Sequence, residues 1–124
     1  MFKRKYFDDI RKRLAEARKF IQVLAGPRQS GKTTIIQQVM DEIKTPSYYV
    51  TTDAVEASSS VWIEQQWDVA RLKLGETGRN DFLLVIDEIQ KIPNWTETIK
   101  RLWDEDTINK IPLKLVLLGS SPLL

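Results

Sequence analysis

The stretch Gly26-Pro27-Arg28-Gln29-Ser30-Gly31-Lys32-Thr33-Thr34 has the spacing G-x-x-x-x-G-K-[ST], with Gly26, Gly31, Lys32 and Thr33 at the four required places. Each residue type in that pattern has a task around an anion. Glycines let the backbone turn tightly and bring its N–H groups against phosphate oxygens. An ammonium group such as that of Lys32 can reach the β and γ phosphates of a nucleotide, and the hydroxyl of Thr33 can ligate Mg²⁺. Residues 26 to 34 are therefore the expected phosphate-binding segment. A glycine turn beside an exposed lysine would use the same residues, and what separates the two readings is the context on either side.

A second group of chemical interest follows the apolar run Phe82-Leu83-Leu84-Val85-Ile86, where Asp87 and Glu88 stand side by side. That run is too short for a helix and reads as a central strand. Two acids at its end are costly to bury without a cation. A Walker B arrangement supplies one: Asp87 holds Mg²⁺ directly or through water, and Glu88 orients the attacking water. Acids exposed at an ordinary strand end are the plainer alternative. A third group follows Leu113 to Leu118, where Gly119, Ser120 and Ser121 end another strand. A hydroxyl there stands beside the two acids if this strand lies between the first and the third.

The elements that must position these groups alternate along the chain. Phe20, Ile21, Val23, Leu24 and Ala25 read as a strand buried on both faces, leading into the glycine loop. Ile35, Ile36, Val39, Met40 and Ile43 recur at helical spacing after it, and Pro46 bounds that helix. Tyr48 to Thr52 form a second strand with Asp53 at its end, where capping the next segment is its expected task. Ser58 to Ser60 offer caps to a helix carrying Val61, Trp62, Trp67, Val69, Ala70, Leu72 and Leu74, expected to end at Gly75 before a polar turn. Pro93 and Asn94 open another helix, with Trp95, Ile99, Leu102 and Trp103 on one face. Strands alternating with helices predict an α/β fold, a three-layer α/β/α sandwich with a mostly parallel sheet of about four strands. Right-handed crossovers then place the carboxyl ends of all strands, and any ligand, along one edge.

Ahead of this core, residues 1 to 19 carry eight Lys or Arg against Asp8, Asp9 and Glu16, while the whole chain has a net charge of only +2. Ile10, Leu14 and Ala17 fall at helical spacing there, with Arg11, Lys12, Arg13 and Arg18 around the turn. The expected division is a basic helical segment, 1–19, packing on a core, 20–124. A solvated helix face is the expected role of that charge; a nucleic-acid or membrane contact is the alternative, and bulk charge does not call for nucleic acid.

Composition narrows the function classes. The chain has 124 residues, 42% of them hydrophobic, enough to build one core. Without cysteine or histidine it has no disulfides, no thiolate or imidazole metal site and no histidine-based hydrolase triad. No apolar run approaches the ~20 residues of a membrane span, so a cytoplasmic protein is expected.

Taken together, the segment 26–34, Val-Ile-Asp-Glu-Ile-Gln at 85–90, a Trp-bearing helix and Leu-Leu-Gly-Ser-Ser at 117–121 resemble the predicted AAA+-type P-loop ATPases of archaea and bacteria. The resemblance covers nearly the whole chain. It implies that the strand ending at Gly119 lies between the phosphate-loop strand and the Walker B strand, and that Ser120 or Ser121 contacts the γ-phosphate or the water. It implies ATP and Mg²⁺ as cofactors and ATP hydrolysis as the activity, with Lys32, Glu88 and Ser120 catalytic and Thr33 and Asp87 on the metal. A guanine-specific Asn-Lys-x-Asp loop does not occur, which favours ATP over GTP. Members of that family continue into a lid and a further domain, so the chain is expected to be the N-terminal nucleotide-binding core of a longer ATPase. By itself it is expected to bind nucleotide weakly, turn over slowly and associate, with a homo-oligomer or protein partner left open. A nucleotide-dependent switch that hydrolyses ATP slowly, with a partner supplying the missing cation, and a nucleic-acid-binding module using the basic helix, are the rival functions.

Overall fold

The structure, a computed structural model, describes residues 2–26, 31–54 and 59–120. Helix α1 (Phe2–Ala15) precedes strand β1 (Gln22–Gly26), helix α2 (Lys32–Ile43) and strand β2 (Ser47–Thr51). Helix α3 (Ser60–Thr77), strand β3 (Phe82–Asp87), helix α4 (Trp95–Ile108) and strand β4 (Leu113–Ser120) complete it. Short 3₁₀ turns follow β2 (Thr52–Ala54) and β3 (Ile89–Lys91). The four strands are parallel in the order β1-β4-β3-β2. The last strand is thus inserted between the first and third, as expected.

Period-two alternation along the two central strands divides the core. Phe82, Leu84 and Ile86 of β3 and Leu113, Leu115 and Leu117 of β4 pack with Ile63, Trp67, Ala70 and Leu74 of α3 and Ile99 and Leu102 of α4. Leu83 and Val85 of β3, with Val116 and Leu118 of β4, face the other way, against Ile10 and Leu14 of α1 and Ile35, Ile36, Val39 and Met40 of α2. Two helices cover each face, which gives the three-layer sandwich. Each such side chain taken from water contributes about 1.5–3 kcal/mol, and β3 and β4 are buried on both sides because both faces have helices to meet.

Several local expectations are corrected. Among the described residues β1 lies at the edge of the sheet: it begins at Gln22, Phe20 and Val23 are 67% and 47% exposed, and of the expected residues only Leu24 is buried. An apolar run marks a strand but does not tell an edge from a centre. Helix α1 ends at Ala15, so Ala17 lies beyond it and exposed. The chain leaves the helix where Lys114 of β4, itself buried, donates from Nζ to the Leu14 carbonyl at 2.7 Å. Burial pushes the Lys114 ammonium below its ordinary pKa range, with Asp81 pulling the other way. Arg18 then ties the connection to the opposite layer, donating to the carbonyls of Leu113 and Trp103 and to the Thr107 hydroxyl while lying 3.5 Å over the Trp103 ring. Helix α3 continues through Gly75 to Thr77; the residue with the left-handed backbone that ends it is Gly78, at φ 67°. Its buried stripe is Ile63, Trp67, Ala70 and Leu74, while Val61 and Leu72 face water.

Candidate functional site

Parallel strands deliver their carboxyl ends to one edge, and the pairings put Gly26 beside Ser120 and Thr51 beside Asp87. The residues singled out by type in three separate stretches therefore meet at the same edge. Gly26 ends β1. After it, Gly31 adopts φ 84°, a left-handed value that suits glycine, and α2 starts at Lys32. That turn lets a helix N-terminus, with its unpaired N–H groups, begin directly after the loop. Pro27, Arg28, Gln29 and Ser30 lie outside the described residues, as do the side chains of Lys32 and Thr33. Thr34 is exposed on the first turn of α2. Ser121 also falls outside.

The acids are held in detail. Asp87 ends β3, and its Oδ1 accepts the Glu88 backbone N–H at 2.9 Å. Its Oδ2 accepts the Tyr49 hydroxyl, from the neighbouring strand, at 2.5 Å. Glu88 has φ 56° and ψ 44°, the left-handed region that a residue with a side chain seldom adopts. Thr52 secures that conformation: its buried hydroxyl donates to the Glu88 carbonyl at 2.9 Å. The turn swings the Glu88 side chain under the end of β4, where Ser120 Oγ lies 2.8 Å from Oε1 and 3.2 Å from Oε2. Glu88 is 6% exposed. Non-glycine residues held in such a backbone cluster where geometry serves a site.

The arrangement can hold a phosphate-bound divalent cation. Among the described residues no three Asp or Glu side chains gather into a metal cluster. Mg²⁺ needs none, since it commonly takes one or two carboxylates and completes its shell with phosphate oxygens and water. A carboxylate offers about four lone-pair directions, so the hydrogen bonds from Tyr49 and the Glu88 backbone do not by themselves preclude a metal. Asp53 does not join this group: it pairs with Lys91. Tyr49, Thr52 and Gln90 surround the acids and were not singled out from the sequence. Gln90 stood within the quoted stretch 85–90, but Tyr49 and Thr52 are signalled only by the β2–β3 register. Among the described residues no helix is long and apolar enough to cross a membrane.

Comparison with known proteins agrees with this architecture. The family described as AAA domain matches residues 18–124. No curated protein matches the chain. The ORC1 protein of Aeropyrum pernix, solved in complex with DNA, superposes with a TM-score of 0.60 at 17% identity, over 97% of this chain and 38% of its own. The RuvB Holliday junction branch migration motor of Thermotoga maritima gives 0.59 at 22% identity, over 98% of this chain and 39% of its own. The chain thus spans about two fifths of the length of these structures. With a parallel β1-β4-β3-β2 sheet between helix pairs, and a family match over most of its length, the chain belongs to the AAA domain family and has the fold of the AAA+ P-loop ATPases.

Proposed function

We propose that this chain binds ATP with Mg²⁺ at the carboxyl edge of the sheet and hydrolyses it. The observation that carries the reading is the Glu88 carboxylate, set by a left-handed backbone under Ser120 at the edge where β1 gives way to the glycine loop. In this reading the backbone of residues 26–34 and the Lys32 ammonium hold the phosphates, and Thr33 and Asp87 hold the metal. The bound Mg²⁺ would neutralise charge on the phosphate oxygens. Glu88 accepts a hydrogen bond from water on the γ-phosphate side and orients it. Ser120, which donates to Glu88, would contact the same water or the γ-phosphate. Catalysis on this plan is positioning and electrostatics more than covalent chemistry. An arginine from a partner, in a homo-oligomer or another protein, would complete it; such a cation contributes about 10³–10⁵ in rate.

The test is a titration of ATP and GTP with Mg²⁺, with phosphate release measured on the same sample, for the chain and for Lys32→Ala. ATP should bind in preference to GTP, and the substitution should cost about one to two decades of affinity, the worth of a charge-assisted contact. Unchanged affinity in Lys32→Ala sinks the phosphate-loop assignment. A second reading draws on the two similar structures, one solved in complex with DNA and the other a Holliday junction branch migration motor, and on α1, where Lys12 and Arg13 face water. Binding to DNA through that helix should weaken steeply with salt, whereas nucleotide binding should follow Mg²⁺.

A further inference from the structure

Gln90 has no part in the roles above, yet its side chain meets the same carboxylate that Ser120 does. It lies half-buried in the 3₁₀ turn Ile89–Lys91, and its Nε2 donates to Glu88 Oε2 at 2.5 Å. Its other end is anomalous: Gln90 Oε1 is buried and, among the described residues, meets no donor. A buried acceptor without a donor is costly, and a glutamine can usually avoid that by turning its amide or reaching for water. Turning the amide here would set Oε1 against the carboxylate oxygen, so the contact with Glu88 fixes which end faces which. The glutamine keeps an unfavourable oxygen in order to keep its hold on Glu88.

Glu88 has use for a second hold. Its backbone is secured by Thr52 at the carbonyl and by Asp87 at the N–H, but its side chain still has three torsions. Ser120 Oγ touches both carboxylate oxygens from the end of β4. Gln90 adds a point on Oε2 from a different element. We infer that Gln90 is a positioning residue: with Ser120 it fixes the plane of the Glu88 carboxylate and so the direction in which that carboxylate accepts a hydrogen bond from water. The inference rests on Glu88 acting as proposed above.

The experiment uses this chain, unsubstituted and as Gln90→Met, Glu88→Gln and the double variant. Met keeps length and volume and lacks the amide. Single-turnover hydrolysis at saturating ATP and Mg²⁺ should slow about 10- to 100-fold in Gln90→Met, the worth of a hydrogen bond to a charged group. Affinity for a fluorescent ATP analogue should stay within about twofold. The double variant should be no slower than Glu88→Gln alone, because a residue that acts through Glu88 has nothing to act on once that carboxylate is gone. Equal or faster turnover in Gln90→Met, or a further loss in the double variant, overturns the inference. If the unsubstituted chain binds ATP without turnover, hydrolysis by this chain fails and the contact is read by NMR. The Gln90 side-chain amide pair, identified by its loss in Gln90→Met, should be displaced from free-amide positions, return to them in Glu88→Ala, and stay displaced when ATP and Mg²⁺ are added. A pair at free positions, or one released by nucleotide, refutes the positioning role.

Discussion

Among the described residues two carboxylates are withdrawn from water, and they are held in contrasting ways. Asp106 lies within α4, wholly buried between α4 and α3. Its Oδ2 accepts the Trp67 indole N–H at 2.8 Å, and its Oδ1 faces Arg71, with Nε at 2.8 Å and Nη2 at 2.7 Å. Its backbone is ordinary helix. Glu88 stands beyond a strand end on a left-handed backbone, its carboxylate meeting a serine hydroxyl and a glutamine amide that come from other elements. The first acid joins two helices whose course is already set by the 3.6-residue repeat. The second is placed by a local conformation that costs free energy, of order 1–3 kcal/mol for such backbone outliers, and that three neighbouring elements sustain. An acid that serves packing can sit in regular structure, while Glu88, on the function proposed for it, has its backbone bent toward a ligand.

The contrast is broken most sharply by Glu88→Gln. It should lower ATP turnover by about 10²–10⁴, the span of general acid–base contributions, while nucleotide binding and thermal stability stay nearly unchanged. Wild-type turnover in that variant would reduce Glu88 to a polar strand end. Asp106→Ala should do the reverse: it leaves the Trp67 N–H and two Arg71 donors without their acceptor and should cost about 3 kcal/mol of stability, or about 10 °C in Tm, with ATP affinity unchanged. Asp106→Asn, which keeps an acceptor for the indole, should cost much less. Burial holds the Asp106 carboxyl above its ordinary pKa range, with the Trp67 hydrogen bond and Arg71 opposing. The folded chain therefore binds this proton more tightly than the unfolded chain, and this site's contribution falls as pH rises from the unfolded to the folded pKa. Asp106→Asn should remove that negative slope from a denaturation series over acidic pH. The smallest effect is expected at Tyr49. Tyr49→Phe removes the hydroxyl from Asp87 Oδ2 and should weaken ATP binding about fivefold in Mg²⁺ and hardly at all in EDTA, as the loss of one ordinary hydrogen bond implies. Equal losses in both conditions would assign Tyr49 to packing.

Much of this was legible in the residues themselves. The spacing of Gly26, Gly31, Lys32 and Thr33, and the acids directly after Phe82–Ile86, are local patterns, and local patterns follow from backbone geometry that acts over a few residues. The same holds for the alternation of strands and helices, and hence for a parallel sheet with its ligand edge at the carboxyl ends. Tertiary structure decided the rest, because it concerns which segments become neighbours. That β1 lies at an edge, exposing Val23 beside buried Leu24, depends on strand order, which periodicity does not encode. That Lys114, a hundred residues along the chain, meets the Leu14 carbonyl where α1 ends depends on the same neighbourhood. The positive φ of Glu88 could not be read from a glutamate: Thr52, which meets its carbonyl, and Ser120, which meets its carboxylate, arrive from the ends of two other strands. Residue types and spacing named the chemistry; the packing of distant segments set the direction in which it is aimed.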